Sequence, residues 1–177
     1  LQPERAALER WVRLLASPEF EGRRGEGARK TAALLASEFR RLKLEPLFDG
    51  QYVQEIPPTP PVGELGRNVG AVLRGSDPAL ADRWIIVSAH FDHLGVRDGV
   101  LYPGADDNAS GIAMLLETAR ALGESPTKPR RSIAFVGFDL EEAGLYGSRY
   151  FVSKPPFDLD RVDLSLTADM IGRSLGG

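Results

Sequence analysis

Imidazoles and carboxylates gather at a few places in this chain of 177 residues. The apolar run Trp84 to Ala89 leads into His90-Phe91-Asp92-His93. In extended backbone, residues two apart share a face. Asp92 is thereby placed to accept a hydrogen bond from one ring nitrogen of His90 and leave the other free for a metal. Further on, Gly104-Ala105-Asp106-Asp107-Asn108-Ala109-Ser110-Gly111 sets two carboxylates ahead of a helical pattern. N-capping asks for one such residue, whereas this loop supplies three polar residues in a row. Ser132 to Phe138 exits into Asp139-Leu140-Glu141-Glu142, and Val162 to Ala168 exits into Asp169-Met170-Ile171-Gly172. Adjacent glutamates point in different directions, so one can bind a cation while its neighbour faces a water on that cation. Each cluster alone has an ordinary reading, as a strand end, a cap, a solvated pair or a turn. Together they are hard to assign to independent accidents. Imidazole and carboxylate without any cysteine suit zinc or a related divalent ion, and a carboxylate shared by two ions would hold them about 3.5–4 Å apart.

The elements that must position these groups follow from the hydrophobic pattern. Ala6, Leu8, Trp11, Val12, Leu14 and Leu15 recur near helical spacing over Pro3 to Ala16, and Ser17-Pro18 ends the pattern. Glu21 to Gly27 reads as a loop. Ala32, Leu35, Phe39 and Leu42 give Ala28 to Leu42 a second amphipathic face. Gln51 to Ile56 alternates like a strand until Pro57-Pro58-Thr59-Pro60-Pro61 stops it and serves as a surface connector. Asn68 to Arg74, Trp84 to Ala89, Ser132 to Phe138 and Val162 to Ala168 read as strands, the nearly all-apolar ones buried on both faces. Asn108 to Leu122 and Leu145 to Val152 read as helices. Strands alternating with helices predict a three-layer αβα domain with a mixed, largely parallel sheet, its ligand site outside the carboxyl ends of the strands.

Composition bounds the partners. A hydrophobic share of 42% suits one compact domain over 1–177. Apolar runs such as Trp84 to Val87 fall far short of the ~20 residues of a membrane span. With 22 Lys+Arg against 25 Asp+Glu the net charge is −3, and the basic cluster Lys128 to Arg131 is broken by Pro129. No nucleic-acid partner is expected. The start at Leu1, with Glu4 and Arg5 where a leader would be apolar, reads as processed or engineered.

On Ala89 to Gly95, Gly104 to Gly111, Phe138 to Glu142, Gly147-Ser148-Arg149-Tyr150-Phe151 and Asp169 to Gly172, the chain resembles the zinc-dependent aminopeptidases of the M28 type. That family includes leucine-type and broad-specificity aminopeptidases and the related glutaminyl cyclases. The resemblance implies a zinc-exopeptidase-like fold and a peptide substrate. It implies that His90 and Asp169 bind one zinc, that Asp107 bridges both ions and that Glu142 binds the other. Glu141 would be the general base, Asp92 would orient His90, and the Asp107-Asn108 peptide would be cis. Export to a secreted or periplasmic location is expected by the same analogy.

The family's second zinc takes a further histidine from a loop later in the chain than Asp169. Here the only histidines are His90 and His93, and His93, inside the first motif, reads as structural or supporting. The sequence thus predicts a complete ligand set for one ion and two protein ligands for the other, hence one tight ion, a weak or absent second and low activity. The Gly176-Gly177 ending reads as an interrupted loop, with the C-terminal strands and helix of the fold missing. A shortened piece of a longer chain, a short domain completed by a partner chain and a degenerate non-catalyst would each account for it. The intact motifs favour the first. Single-zinc glutaminyl cyclisation and an inactive peptidase-like binding domain stand as alternative functions.

Overall fold

A computed structural model describes residues 3–58 and 63–173. The proline tract lies partly, and the Gly176-Gly177 ending wholly, outside the described residues. In chain order the elements are α1 (Arg5–Leu15), a 3-10 segment (Pro18–Arg23), α2 (Glu26–Arg41), β1 (Glu45–Pro46), β2 (Val53–Ile56), β3 (Gly66–Leu73), β4 (Trp84–His90), β5 (Gly95–Arg97) and β6 (Val100–Tyr102). A wide turn (Ala105–Ser110), α3 (Gly111–Gly123), β7 (Ser132–Phe138), α4 (Tyr146–Ser153), a 3-10 turn (Leu159–Arg161) and β8 (Val162–Thr167) follow.

The main sheet runs β1-β3-β7-β4-β8, with β2 also paired to β3. It is mixed, as expected, but its parallel part is confined to β7, β4 and β8. β3 joins β7 antiparallel, and β1 and β2 join β3 antiparallel. β2 meets β3 antiparallel because no helix intervenes between them to return the chain in the same direction.

Strand alternation divides the apolar side chains between two cores. Val69, Ala71, Leu73, Val87, Ala89, Ile133 and Phe135 face one side, where they meet Trp11 and Leu15 of α1, Leu35 and Phe39 of α2, and Ile112, Leu115 and Leu116 of α3. Val72, Trp84, Ile86, Ala134 and Val136 face the other, against Phe151 of α4. Phe157 stacks on Trp84 there, with centroids 4.2 Å apart. Large side chains buried this way each contribute about 1.5–3 kcal/mol, so the central strands are anchored from both faces. Their carboxyl ends inherit that rigidity.

The helix expected from Asn108 begins instead at Gly111. Asp107 (φ −102, ψ 98) and Asn108 (φ −131, ψ 44) are non-helical, and the peptide between them is cis. The β5–β6 hairpin had no counterpart in the sequence reading. Among the described residues no helix is long and apolar enough to cross a membrane.

Candidate metal centre

His90 is the last residue of β4 and is 4% exposed. Its Nε2 lies 3.3 Å from Asp107 Oδ1 and 3.3 Å from Asp169 Oδ1. His93 Nδ1 lies 2.8 Å from Glu142 Oε1 and 3.7 Å from Asp107 Oδ2. The two oxygens of Asp107 thus face different imidazoles, one each. His90, Asp107 and Asp169 form one group whose ligand atoms all lie within 4.8 Å of one another, and His93, Asp107 and Glu142 form a second. All four metal ligands expected from the sequence come together. His93 joins them as a candidate donor, so the second group has three candidate donors where the sequence reading counted two.

The elements explain the convergence. Parallel pairing of β4 with β7 and β8 puts the exits of all three strands at one edge, which delivers His90, the Glu141-Glu142 turn and Asp169 side by side. The exits of β7 and β8 then turn sharply. Leu140, before Glu141, and Met170, after Asp169, take φ of 55° and 51°, a left-handed conformation that bulky residues rarely adopt. Asn108 ties the Asp107 turn to the β8 exit, its Nδ2 donating to Ala168 O at 2.9 Å and its Oδ1 accepting from Gly111 N at 3.0 Å and Met170 N at 3.3 Å. Asn68 of β3 donates from Nδ2 to Gly147 O, and its Oδ1 accepts from Asp139 N. It holds the β7 exit against α4.

Asp92 lies against His90 and also against the glutamate turn. The main-chain carbonyl of Asp92 lies 3.2 Å from His90 Nδ1, while its carboxylate stands off at 3.6 Å. The two carboxylate oxygens instead accept the N–H groups of Glu141 at 2.9 Å and Glu142 at 3.1 Å. Asp92 therefore meets His90 Nδ1 through its main-chain carbonyl and holds the glutamate turn through its side chain. Glu141 Oε2 lies 3.9 Å from His90 Nε2, beside the first group and outside both.

Charge is crowded here. Burial opposes protonation of His90, but the carboxylates of Asp92, Glu141 and Asp169 outweigh it and hold the ring at about 9. Burial lifts the Glu141 carboxyl, His90 pulls it back, and Asp92, Glu142 and Asp169 lift it further. Carboxylates crowded this closely around one buried imidazole leave an excess of negative charge that a cation would relieve. The donor set fits a divalent metal of the zinc type.

Asp139, 2% exposed, is pushed up to about 7, first by burial and then by Asp92, against hydrogen bonds from the Arg67 and Leu140 amides. The folded state therefore holds this proton more tightly than the unfolded chain does. Its stabilising effect is present at low pH and lost as pH rises from the ordinary carboxylate range of about 4 through about 7. Asp139→Asn is expected to flatten that part of the stability profile, read by urea unfolding at a series of pH values. A variant with the parent's slope would contradict the assignment.

A cleft of about 60 Å³ beside the centre is lined by Asp92, His93, Asp139 and Glu142 among others. The larger cavity, about 720 Å³, lies between α1 and α3 and touches none of the candidate donors.

The model of peptidase family M28 matches residues 68–176, which include every donor named above. The chain belongs to peptidase family M28. A probable zinc metalloprotease of Leptosphaeria maculans is 34% identical over 129 residues, covering 71% of this chain and 29% of that protein. Aminopeptidase YwaD of Bacillus subtilis is 36% identical over 91 residues, covering 51% of this chain and 18% of its own. Among solved structures, a leucine aminopeptidase precursor from Bacteroides thetaiotaomicron superposes with a TM-score of 0.75 at 20% identity, covering 97% of this chain and 64% of that one. A Porphyromonas gingivalis glutaminyl cyclase superposes with a TM-score of 0.76 at 24% identity, covering 94% and 61%. This M28 chain therefore spans less than a third of the length of those two curated relatives and less than two thirds of those solved structures.

His93 lies in the fixed neighbourhood of Glu142 whether it binds a metal or orients the glutamate. His93→Ala is expected to weaken the ion at Asp107 and Glu142 by about 10–100-fold and leave the ion at His90 and Asp169 within about threefold, by zinc titration. Equal weakening of both would show that His93 supports the whole centre.

Proposed function

We propose that this chain carries the catalytic centre of a metal-dependent aminopeptidase, which removes N-terminal residues from peptides by hydrolysis. The observation that carries the reading is the Asp107 carboxylate, with one oxygen toward His90 and the other toward His93, and with Glu141 alongside. That arrangement suits two ions held by one bridging ligand. His90, Asp107 and Asp169 would hold the first, and His93, Asp107 and Glu142 the second.

Bound zinc would supply Lewis acidity, polarising the scissile carbonyl and lowering the pKa of water. Glu141 takes one proton from the attacking water and passes it to the departing amine, so that hydroxyl ends on the carbonyl carbon and hydrogen on nitrogen as the C–N bond breaks. Asp92 keeps Glu141 in place by accepting its backbone N–H. Asn108 holds the loop of Asp107 to the Asp169 turn, so the donors keep their spacing through the reaction.

A second reading, glutaminyl cyclisation at one ion, is favoured by the closer pairing of His93 with Glu142, 2.8 Å against 3.3 Å between His90 and Asp169, which makes the His93 group the harder of the two for an ion to open. One experiment separates the two. The zinc-loaded chain is incubated with an aminoacyl-p-nitroanilide and with a peptide beginning in Gln, followed by absorbance and mass. Release of a free amino acid, abolished by chelator and restored by zinc, is the expected result. Loss of ammonia from the Gln peptide without amino-acid release would replace aminopeptidase with cyclase, and neither product would overturn both.

A further inference from the structure

Arg23 is fully buried, at the end of the 3-10 segment that follows α1. Its guanidinium donates from Nε to Phe91 O at 2.7 Å, from Nη1 to Leu15 O at 2.8 Å and Pro103 O at 2.7 Å, and from Nη2 to Gly104 O at 2.7 Å and Asp107 O at 3.2 Å. A guanidinium has five N–H donors in a rigid fork, and these contacts use the set on main-chain carbonyls. Phe91 lies between His90 and Asp92, while Pro103, Gly104 and Asp107 belong to the loop that carries the bridging carboxylate. The main chain of Arg23 joins in, its carbonyl accepting the N–H of His93 at 3.2 Å.

The local sequence is shaped to admit this side chain. A Cβ on Gly104, which has φ of +57°, would come within 2.5 Å of Arg23 Nη2 and 2.6 Å of His93 Cδ2. A Cβ on Gly22, φ +63°, would meet Tyr102 O at 2.4 Å and Gly95 O at 2.7 Å. Burying a cation is expensive unless something compensates it. Here Asp92, Asp107 and Glu142 favour the charge, although burial still draws the guanidinium down to about 10. Lysine, a point charge with three donors, cannot span the same set of carbonyls.

We propose that Arg23 is a positioning residue of the metal centre: it clamps the β4 exit to the Asp107 loop and so presets the distance between the two imidazoles and the carboxylate that serves both. This rests on the reading of the two donor groups as metal sites. Without the fork, each incoming ion must itself draw the β4 exit and the Asp107 loop together, and affinity falls at both groups.

The test is calorimetric titration of the metal-free chain with zinc for the parent, Arg23→Lys and Arg23→Gln, beside thermal melts without metal. Phe39→Leu, a core change in α2, serves as the control for lost stability. Arg23→Lys is expected to bind zinc at least about tenfold more weakly at both groups, Arg23→Gln more weakly still, and Phe39→Leu to melt earlier with the parent's affinity. Parent affinity in Arg23→Lys overturns the proposal, as does an affinity loss in Phe39→Leu that matches it at equal melting temperature. An Arg23→Lys chain that cannot fold overturns it too, because Arg23 would then support the fold at large. A parent chain that takes up no zinc would instead refute the metal-centre reading beneath it.

Discussion

Glu141→Gln keeps its zinc and loses turnover by about a thousandfold, within the range of 10²–10⁴ that general-base catalysis contributes. Glutamine has the shape of glutamate and preserves the backbone contact from Glu141 N to Asp92 Oδ1. It cannot accept a proton from water. Because Glu141 belongs to neither donor group, its amide variant should leave zinc affinity unaltered. The paired measurement is zinc content per chain and initial rate on an aminoacyl-p-nitroanilide with the same sample. A rate within about tenfold of the parent would take the base role away from Glu141. Loss of zinc together with loss of rate would make Glu141 a ligand.

Asp107→Ala has the other large effect, and its signature is that one substitution removes two ions. Asp107 Oδ1 faces His90 and Oδ2 faces His93, so each donor group falls from three members to two. The main-chain carbonyl that Arg23 holds is untouched by the change. Zinc affinity should fall by about 10²-fold or more at both groups, since two protein ligands are fewer than catalytic zinc sites use. Asp169→Ala and Glu142→Ala should each weaken one ion only. If Asp107→Ala leaves one ion at parent affinity, the carboxylate does not bridge.

The clusters of this centre were legible in the sequence at strand ends and in the Asp106-Asp107-Asn108 loop, and the ligand roles followed from the resemblance to the M28 family. His90 and Asp169 follow directly on apolar runs, the Glu141-Glu142 pair follows another after Asp139-Leu140, and parallel pairing then does the assembly. Where the strand stops, the period-two rule stops with it. β4 ends at His90, so the carboxylate of Asp92 is free to turn toward the glutamate amides, and His93 swings to Glu142. The start of α3 was misplaced because Asp107 and Asn108 are residue types favoured at a helix N-cap, whereas their backbone here is non-helical and the helix begins at Gly111.

Arg23 left no readable signal. Four of its five acceptors lie 68 to 84 residues away, and main-chain carbonyls have no residue type to recognise. The β5–β6 hairpin did carry one. Asp98 and Gly99, with φ of 51° and 76°, form the Asp-Gly turn between Arg97 and Val100, a strong short-range hairpin signature. Its strands are three residues long and exposed at Val96 and Val100, too little apolar pattern to stand out.

The central claim is a two-ion centre bridged by Asp107, and zinc titration of the metal-free parent chain tests it most directly. Two ions per chain of unequal affinity are expected, the tighter weakened in His90→Ala and the weaker in His93→Ala. No zinc uptake, or a single ion that survives replacement of His90, would contradict it.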